Sequence, residues 1–187
     1  MIISVNWLKE YTEIDLPIDK LATLIGARLV EIEETIDLDE KYKDVVIARV
    51  AACEKLEDSD HLNITKLDDG GVVEGIERDE NGFVQVVCGA PNVRAGLFVA
   101  WLPPKTTVPE TVGTDEPFVL DARKLRGVMS NGMIASPREL ALFDDHEGIL
   151  EIADTDVQPG ASFAKTFALD DTLLDIENKS LTHRPDA

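Results

Sequence analysis

The spacing of apolar positions changes twice along this chain. Val5, Trp7, Leu8 and Tyr11 recur at intervals that fit a short helix, with Ser4 placed to cap its N-terminus. A second helix is predicted from Pro17, because proline lacks the N–H that a first helical turn leaves unbonded. Ile18, Leu21, Leu24 and Ile25 mark its apolar face, and Gly26 is placed to supply a left-handed C-terminal cap. Leu29–Ile36 then alternates as a strand with one wet face. Helix, helix and strand are too little to bury a core alone.

From Val45 onward the pattern becomes strands separated by turns. The expected strands are Val45–Cys53, Leu62–Leu67, Phe83–Cys88, Leu97–Trp101, a segment near Phe118–Leu120, and Gly132–Ala135. Gly70-Gly71 and Asn81-Gly82 are turn signals, and the acidic stretch Asp68–Asn81 is expected to be an exposed hairpin or loop. Arg138–Phe143 fits a helical turn. This order predicts a small antiparallel barrel with Greek-key character. After Gly160 the chain turns mixed again, and Leu173–Glu177 reads as a further strand. Pairing it with Leu29–Ile36 would give the N-terminal elements the core they lack. The predicted architecture is therefore α+β. Residues 1–40 plus 153–187 form a discontinuous domain, and residues 41–152 form a barrel inserted into it. The abrupt end at Leu181–Ala187, with no cap or polar tail, predicts a piece of a longer protein.

Composition adds a folded chain and a puzzle. Of the 187 residues 44% are apolar, enough for an ordered core. The net charge of -19 argues against a polyanionic partner, since nucleic-acid binding normally needs a basic surface. The charge is uneven, however. Gln85–Leu140 holds six basic residues and five acidic ones, a net of +1, which leaves -20 for the remainder. Charge alone is met equally well by an ordinary solvated acidic surface. Cys53 and Cys88 suit no metal spacing or disulfide framework and are expected to be reduced thiols of a cytoplasmic protein. Met1–Glu10 lacks the basic start and apolar core of a signal peptide, and no apolar run approaches the ~20 residues of a membrane helix.

The least acidic region also holds the candidate chemistry. In Cys88-Gly89-Ala90-Pro91-Asn92-Val93-Arg94-Ala95-Gly96, Gly89 allows a sharp exit from a strand and Pro91 sets the turn. Asn92 can bond back to the backbone, and Arg94 is placed to meet phosphate. In the segment Lys124–Leu140, Lys124, Arg126 and Arg138 can meet phosphate, while Ser130 and Ser136 fit backbone or 2′-hydroxyl contacts. Met129 and Met133 fit a core. Ser130-Asn131-Gly132 reads as a turn and not as a nucleophile site, because His61, His146 and His183 are scattered. No phosphate loop of the Gly-x-x-x-x-Gly-Lys-Ser/Thr type and no Cys/His metal cluster occurs, so catalytic and metal-binding residues are expected to be none.

These residues carry a resemblance. Cys88–Asn92, Gly96, Leu125-Arg126-Gly127, Ser130, Gly132-Met133, Ser136 and Glu139-Leu140, with Asp60-His61-Leu62 upstream, are similar to the tRNA-binding OB domain found in several synthetase systems. The flanks, Ser4–Tyr11, Gly26–Glu33 and Arg184-Pro185-Asp186, look like those of the bacterial phenylalanyl-tRNA synthetase beta-subunit family. The resemblance spans essentially the whole chain. It implies an OB-fold barrel in a split domain and tRNA(Phe) as partner. It also implies an alpha subunit that carries the aminoacylation site in an (αβ)2 tetramer. ATP and Mg2+ then serve the full enzyme, with no cofactor in this part, no DNA and no membrane. Two departures stand out: His183 where the family commonly has asparagine, and the long acidic stretch Asp68–Asn81. A free-standing OB tRNA-binding protein and a purely structural assembly module are the alternatives.

Overall fold

The structure is a computed structural model that describes residues 1–57, 59–153 and 157–177. The Arg184-Pro185-Asp186 signature and His183 lie outside the described residues. In chain order the elements are β1 (Ile2–Ser4), α1 (Val5–Lys9), α2 (Ile18–Arg28), β2 (Glu31–Asp37), α3 (Leu38–Tyr42), β3 (Val46–Lys55), β4 (Asn63–Asp68), β5 (Val84–Cys88), β6 (Phe98–Leu102), a 3-10 turn (Pro109–Thr111), β7 (Ala122–Leu125), β8 (Val128–Asn131), β9 (Met133–Ile134), β10 (Glu151–Ile152), α4 (Phe163–Thr166) and β11 (Thr172–Glu177). The strands pair antiparallel, and the helices are few. They fall into two compact units: one of Met1–Glu40 with the chain from Ala168, the other of Lys41–Phe167.

In the first unit β11 lies between β1 and β2 and pairs antiparallel with both. Leu174 and Ile176 alternate onto one sheet face, where Ile18, Leu21, Ala22 and Ile25 of α2 pack against them and Val5. Ser4 does cap α1, its Oγ accepting from the Trp7 N–H at 2.9 Å. Two local expectations change. Gly26 lies inside α2, which runs on to Arg28, so it is no cap. Of the predicted apolar members of α1 only Val5 is buried, while Trp7 and Tyr11 are exposed and stack edge to face.

In the second unit the strand order is β10-β6-β3-β4-β5, with β9 on the same edge of β6 as β10. The core is built from inward positions of these strands, among them Val50, Leu67, Val84, Val86, Val99 and Trp101. No backbone ladder joins β5 to β8 or β9 among the described residues, so the expected closed barrel is not complete by strand pairing. Side chains span that seam instead. The Val87 N–H donates to Ser130 Oγ at 3.0 Å, Asn131 Nδ2 donates to the Gln85 carbonyl at 3.1 Å, and Gln85 Nε2 donates to the Met129 carbonyl at 2.9 Å. Phe118–Leu120 is not a strand but meets Thr107 in a single bridge. The chain from Gly160 to Phe163 runs beside β3, with Gly160 N–H on the Ile47 carbonyl and Phe163 N–H on the Val45 carbonyl. Those residues thus pack in the second unit, beyond the border expected at residue 152.

The acidic stretch after β4 is an ordered loop. The Asp69 carboxylate is fully buried. It accepts from the Gly71 and Val73 N–H groups and from both Arg78 guanidinium nitrogens, the closer at 2.6 Å. Arg78 in turn donates to the Val73 and Gly82 carbonyls. Burial alone would push the Asp69 carboxyl up. The hydrogen bonds from Arg78, Val73 and Gly71 and the Arg78 charge together outweigh it and hold the group below the ordinary carboxylate range.

Candidate nucleic-acid interface

The Lys124–Leu140 segment opens with a hairpin. β7 and β8 pair from Ala122 opposite Asn131 to Leu125 opposite Val128. Arg126 and Gly127 join them, both with positive φ (47° and 83°), which is the signature of a two-residue type I′ turn. Alternation splits the hairpin's side chains between its two faces. Arg123 and Leu125, with Ser130 across from Arg123, line a groove of about 800 Å³. Lys124 lies on the opposite side from Arg123. Arg123, Lys124 and Arg126 are all exposed. No carboxylate pairs with Arg123 or Lys124 among the described residues.

The groove runs between this hairpin, the Cys88–Pro91 exit from β5 and the Ser136–Glu139 turn. Its charged lining is acidic on balance. Glu110, Asp121, Glu139 and Glu147 face two arginines, Arg123 and Arg138. Phe118 stands on its wall, half exposed. Of the second unit's aromatics Phe98 and Trp101 are buried, while Phe118 and Phe143 are exposed.

The other expected contact residues are occupied elsewhere. Arg94 holds Glu151 with both terminal nitrogens, at 2.9 and 2.8 Å. Hydrogen bonds from Arg94 and then Asn92 keep the Glu151 carboxyl below its usual range. The Asn92 amide imitates a backbone pair. Its nitrogen donates to the Ile149 carbonyl and its oxygen accepts from the Ile149 N–H, both at 3.0 Å. Arg138 is bonded to Glu110 at 3.0 Å, with Asp144 nearby. Ser136 is buried and forms a capping box with Glu139, whose carboxylate accepts from the Ser136 N–H and hydroxyl. Ser130 is 2% exposed and belongs to the β5–β8 seam. Asn92, Ser130 and Ser136 therefore shape the fold, Arg94 and Arg138 carry built-in counter-ions, and Lys124 is exposed with no carboxylate partner among the described residues.

Replacing Ser130 by alanine leaves the buried Val87 N–H without an acceptor. It is expected to lower stability by about 1–3 kcal/mol in urea unfolding. The salt dependence of any RNA binding should stay unchanged, because the residue does not face a phosphate.

Cys53 and Cys88 are both free thiols. Burial pushes each thiol up, so neither is an activated nucleophile. Among the described residues no group of three metal-ligating side chains occurs, and no helix is long and apolar enough to cross a membrane.

A family model described as "Putative tRNA binding domain" matches residues 45–162, nearly the whole of the second unit. The chain belongs to this tRNA-binding domain family. Nearly the whole of this chain, flanks included, is also similar to part of a set of curated relatives. The phenylalanine–tRNA ligase beta subunit of Mesorhizobium japonicum is 39% identical over 185 residues, 98% of this chain and 21% of the relative. That of Nitrobacter winogradskyi is 35% identical over 176 residues, 92% of this chain and 20% of the relative. That of Neisseria meningitidis serogroup A is 37% identical over 174 residues, 93% of this chain and 20% of the relative. The chain thus spans about a fifth of the length of the curated relatives it matches.

Proposed function

We propose that this chain is the N-terminal tRNA-binding part of a phenylalanine–tRNA ligase beta subunit, and that the β7–β8 hairpin is where it meets tRNA. The observation that carries this is electrostatic. In a chain of net charge -19, within the region matched to a tRNA-binding family, Arg123, Lys124 and Arg126 are all exposed on one short hairpin, the first two on its opposite faces and the third in its turn. The two-residue turn keeps the three positions close along the chain, so one stretch of phosphate backbone can reach more than one of its cations.

In this reading the second unit is an OB barrel whose last seam is made by side chains, inserted in sequence into a discontinuous domain made of residues 1–40 and the chain from Ala168. The chain works in the cytoplasm with an alpha subunit in an (αβ)2 enzyme that charges tRNA(Phe) with phenylalanine. ATP and Mg2+ serve that enzyme's reaction, and no residue here is asked to hold them. This part binds and does not catalyse.

The test is tRNA binding across a salt series. Replacing Arg123, Lys124 and Arg126 together by alanine is expected to weaken tRNA(Phe) binding at low salt. It should also reduce the slope of log K against log salt by about two to three, since each phosphate contact contributes roughly 0.7–0.9. An unchanged slope would remove the hairpin from the interface. A wild-type chain that retains no tRNA even at low salt would favour the subunit-assembly role, which the acidic balance makes the natural second reading.

A further inference from the structure

The hairpin and the groove beside it have opposite electrostatic character. Beyond Arg123, which lines the groove, the hairpin carries Lys124 on its other side and Arg126 in its turn. The groove carries four carboxylates against two arginines, and one of those arginines is already bonded to Glu110. A phosphate is therefore drawn to the hairpin and repelled from the groove. The groove's volume, about 800 Å³, falls within the range of small-ligand pockets. That leaves room for an extruded nucleotide but not for an RNA helix.

Phe118 supplies the groove with an aromatic face. It is 51% exposed, so packing does not explain its presence. It is nevertheless held firmly. Its carbonyl accepts from the Val108 N–H and its N–H donates to Thr111 Oγ1, each at 2.8 Å. The next turn of the same pairing places Leu120 N–H on the Thr106 carbonyl. An exposed ring on a fixed backbone is a ready stacking surface for a base. Asp121 and Glu147 line the same groove, and neither carboxylate has a hydrogen-bond or ion-pair partner among the described residues. Carboxylates accept from the N–H donors of a base edge, and guanine offers two adjacent donors on its Watson–Crick edge.

We propose that the groove beside Phe118 receives one unpaired nucleobase, by preference guanine, from an RNA whose phosphates lie on the β7–β8 hairpin. This rests on the hairpin reading above and specifies the RNA class that the site selects: a structured RNA with an extrudable base, not a perfect duplex.

The experiment compares two RNA stems of equal length by fluorescence anisotropy at fixed low salt, one fully paired and one carrying a single bulged guanine. The 187-residue chain is expected to bind the bulged stem about tenfold more tightly, a stacking-sized effect. Phe118→Ala is expected to abolish that preference, with the salt slope and the affinity for the paired stem retained. Phe118→Tyr, which keeps the ring, is expected to keep the preference. Asp121→Asn combined with Glu147→Gln is expected to equalise stems with bulged guanine and bulged uracil. Equal binding of paired and bulged stems by the wild type, or a preference that survives Phe118→Ala, would overturn the base pocket while leaving the hairpin interface standing. Failure of the wild type to bind either stem would overturn both.

Discussion

Gly132→Ala is expected to be the most damaging single-methyl change in the second unit. Gly132 has φ +81°, and a Cβ at that position would lie 2.0 Å from the Leu102 carbonyl oxygen. The obstacle is backbone, so no rotamer change relieves it. Left-handed strain on an L-residue costs roughly 1–2 kcal/mol and overpacking of a tight contact roughly 1–3, so a loss of about 2–5 kcal/mol is expected. The damage should spread. Gly132 follows Asn131, whose carbonyl accepts from the Trp101 indole at 3.0 Å and whose amide helps span the seam to β5. Because Trp101 is fully buried and the exposed Trp7 lies in the other unit, urea unfolding followed by tryptophan emission in a Trp7→Phe background reads the second unit alone. A midpoint within error of the parent would show that the backbone at Leu102 yields readily.

Asp69→Ala comes next. It strips the acidic loop of its central acceptor and leaves the Arg78 guanidinium, mostly buried, without its counter-charge. Breaking one half of a buried ion pair typically costs 3–5 kcal/mol. Arg78 retains some contact with water and two carbonyl partners, so about 3 kcal/mol is expected. The pH dependence gives an independent check. The Asp69 carboxyl is held below its ordinary range in the folded chain. Its contribution is thus fully present above the unfolded value of about 4 and is lost as pH falls through the lower folded value. The stability gap between wild type and Asp69→Asn should therefore be widest near neutral pH and narrow as pH drops below 4. A gap that stays constant down to pH 2 would mean that the charge on Asp69 contributes nothing.

Much of this fold was legible before any coordinates. The strands around Val50, Leu67, Val86 and Val99 are apolar-rich runs bounded by turn residues, and each lies within a residue or two of its expected place. The pairing of β11 with β2 followed from the first elements' lack of a core. The β7–β8 hairpin was not read as strands, because Ala-Arg-Lys-Leu shows no alternation of polarity and Arg126 needs a positive φ that only a formed turn reveals. The Ser136–Glu139 capping box was a missed local signal: its Ser-x-x-Glu spacing stands in the sequence. The seam between β5 and β8 left no such trace. Gln85, Ser130 and Asn131 are ordinary polar residues until folding sets them side by side.

Periodicity and turn residues, which act over a few neighbours, were enough to place β2 to β6 and β11, and a charge count along the chain marked the region of least acidity. Which cations stay open to a polyanion was settled by long-range approach. Arg94 meets a carboxylate 57 residues away and Arg138 one 28 residues away, while Arg123 and Lys124 meet none among the described residues. Charge sums along a sequence treat these arginines alike, and only folded distance separates a neutralised guanidinium from an available one.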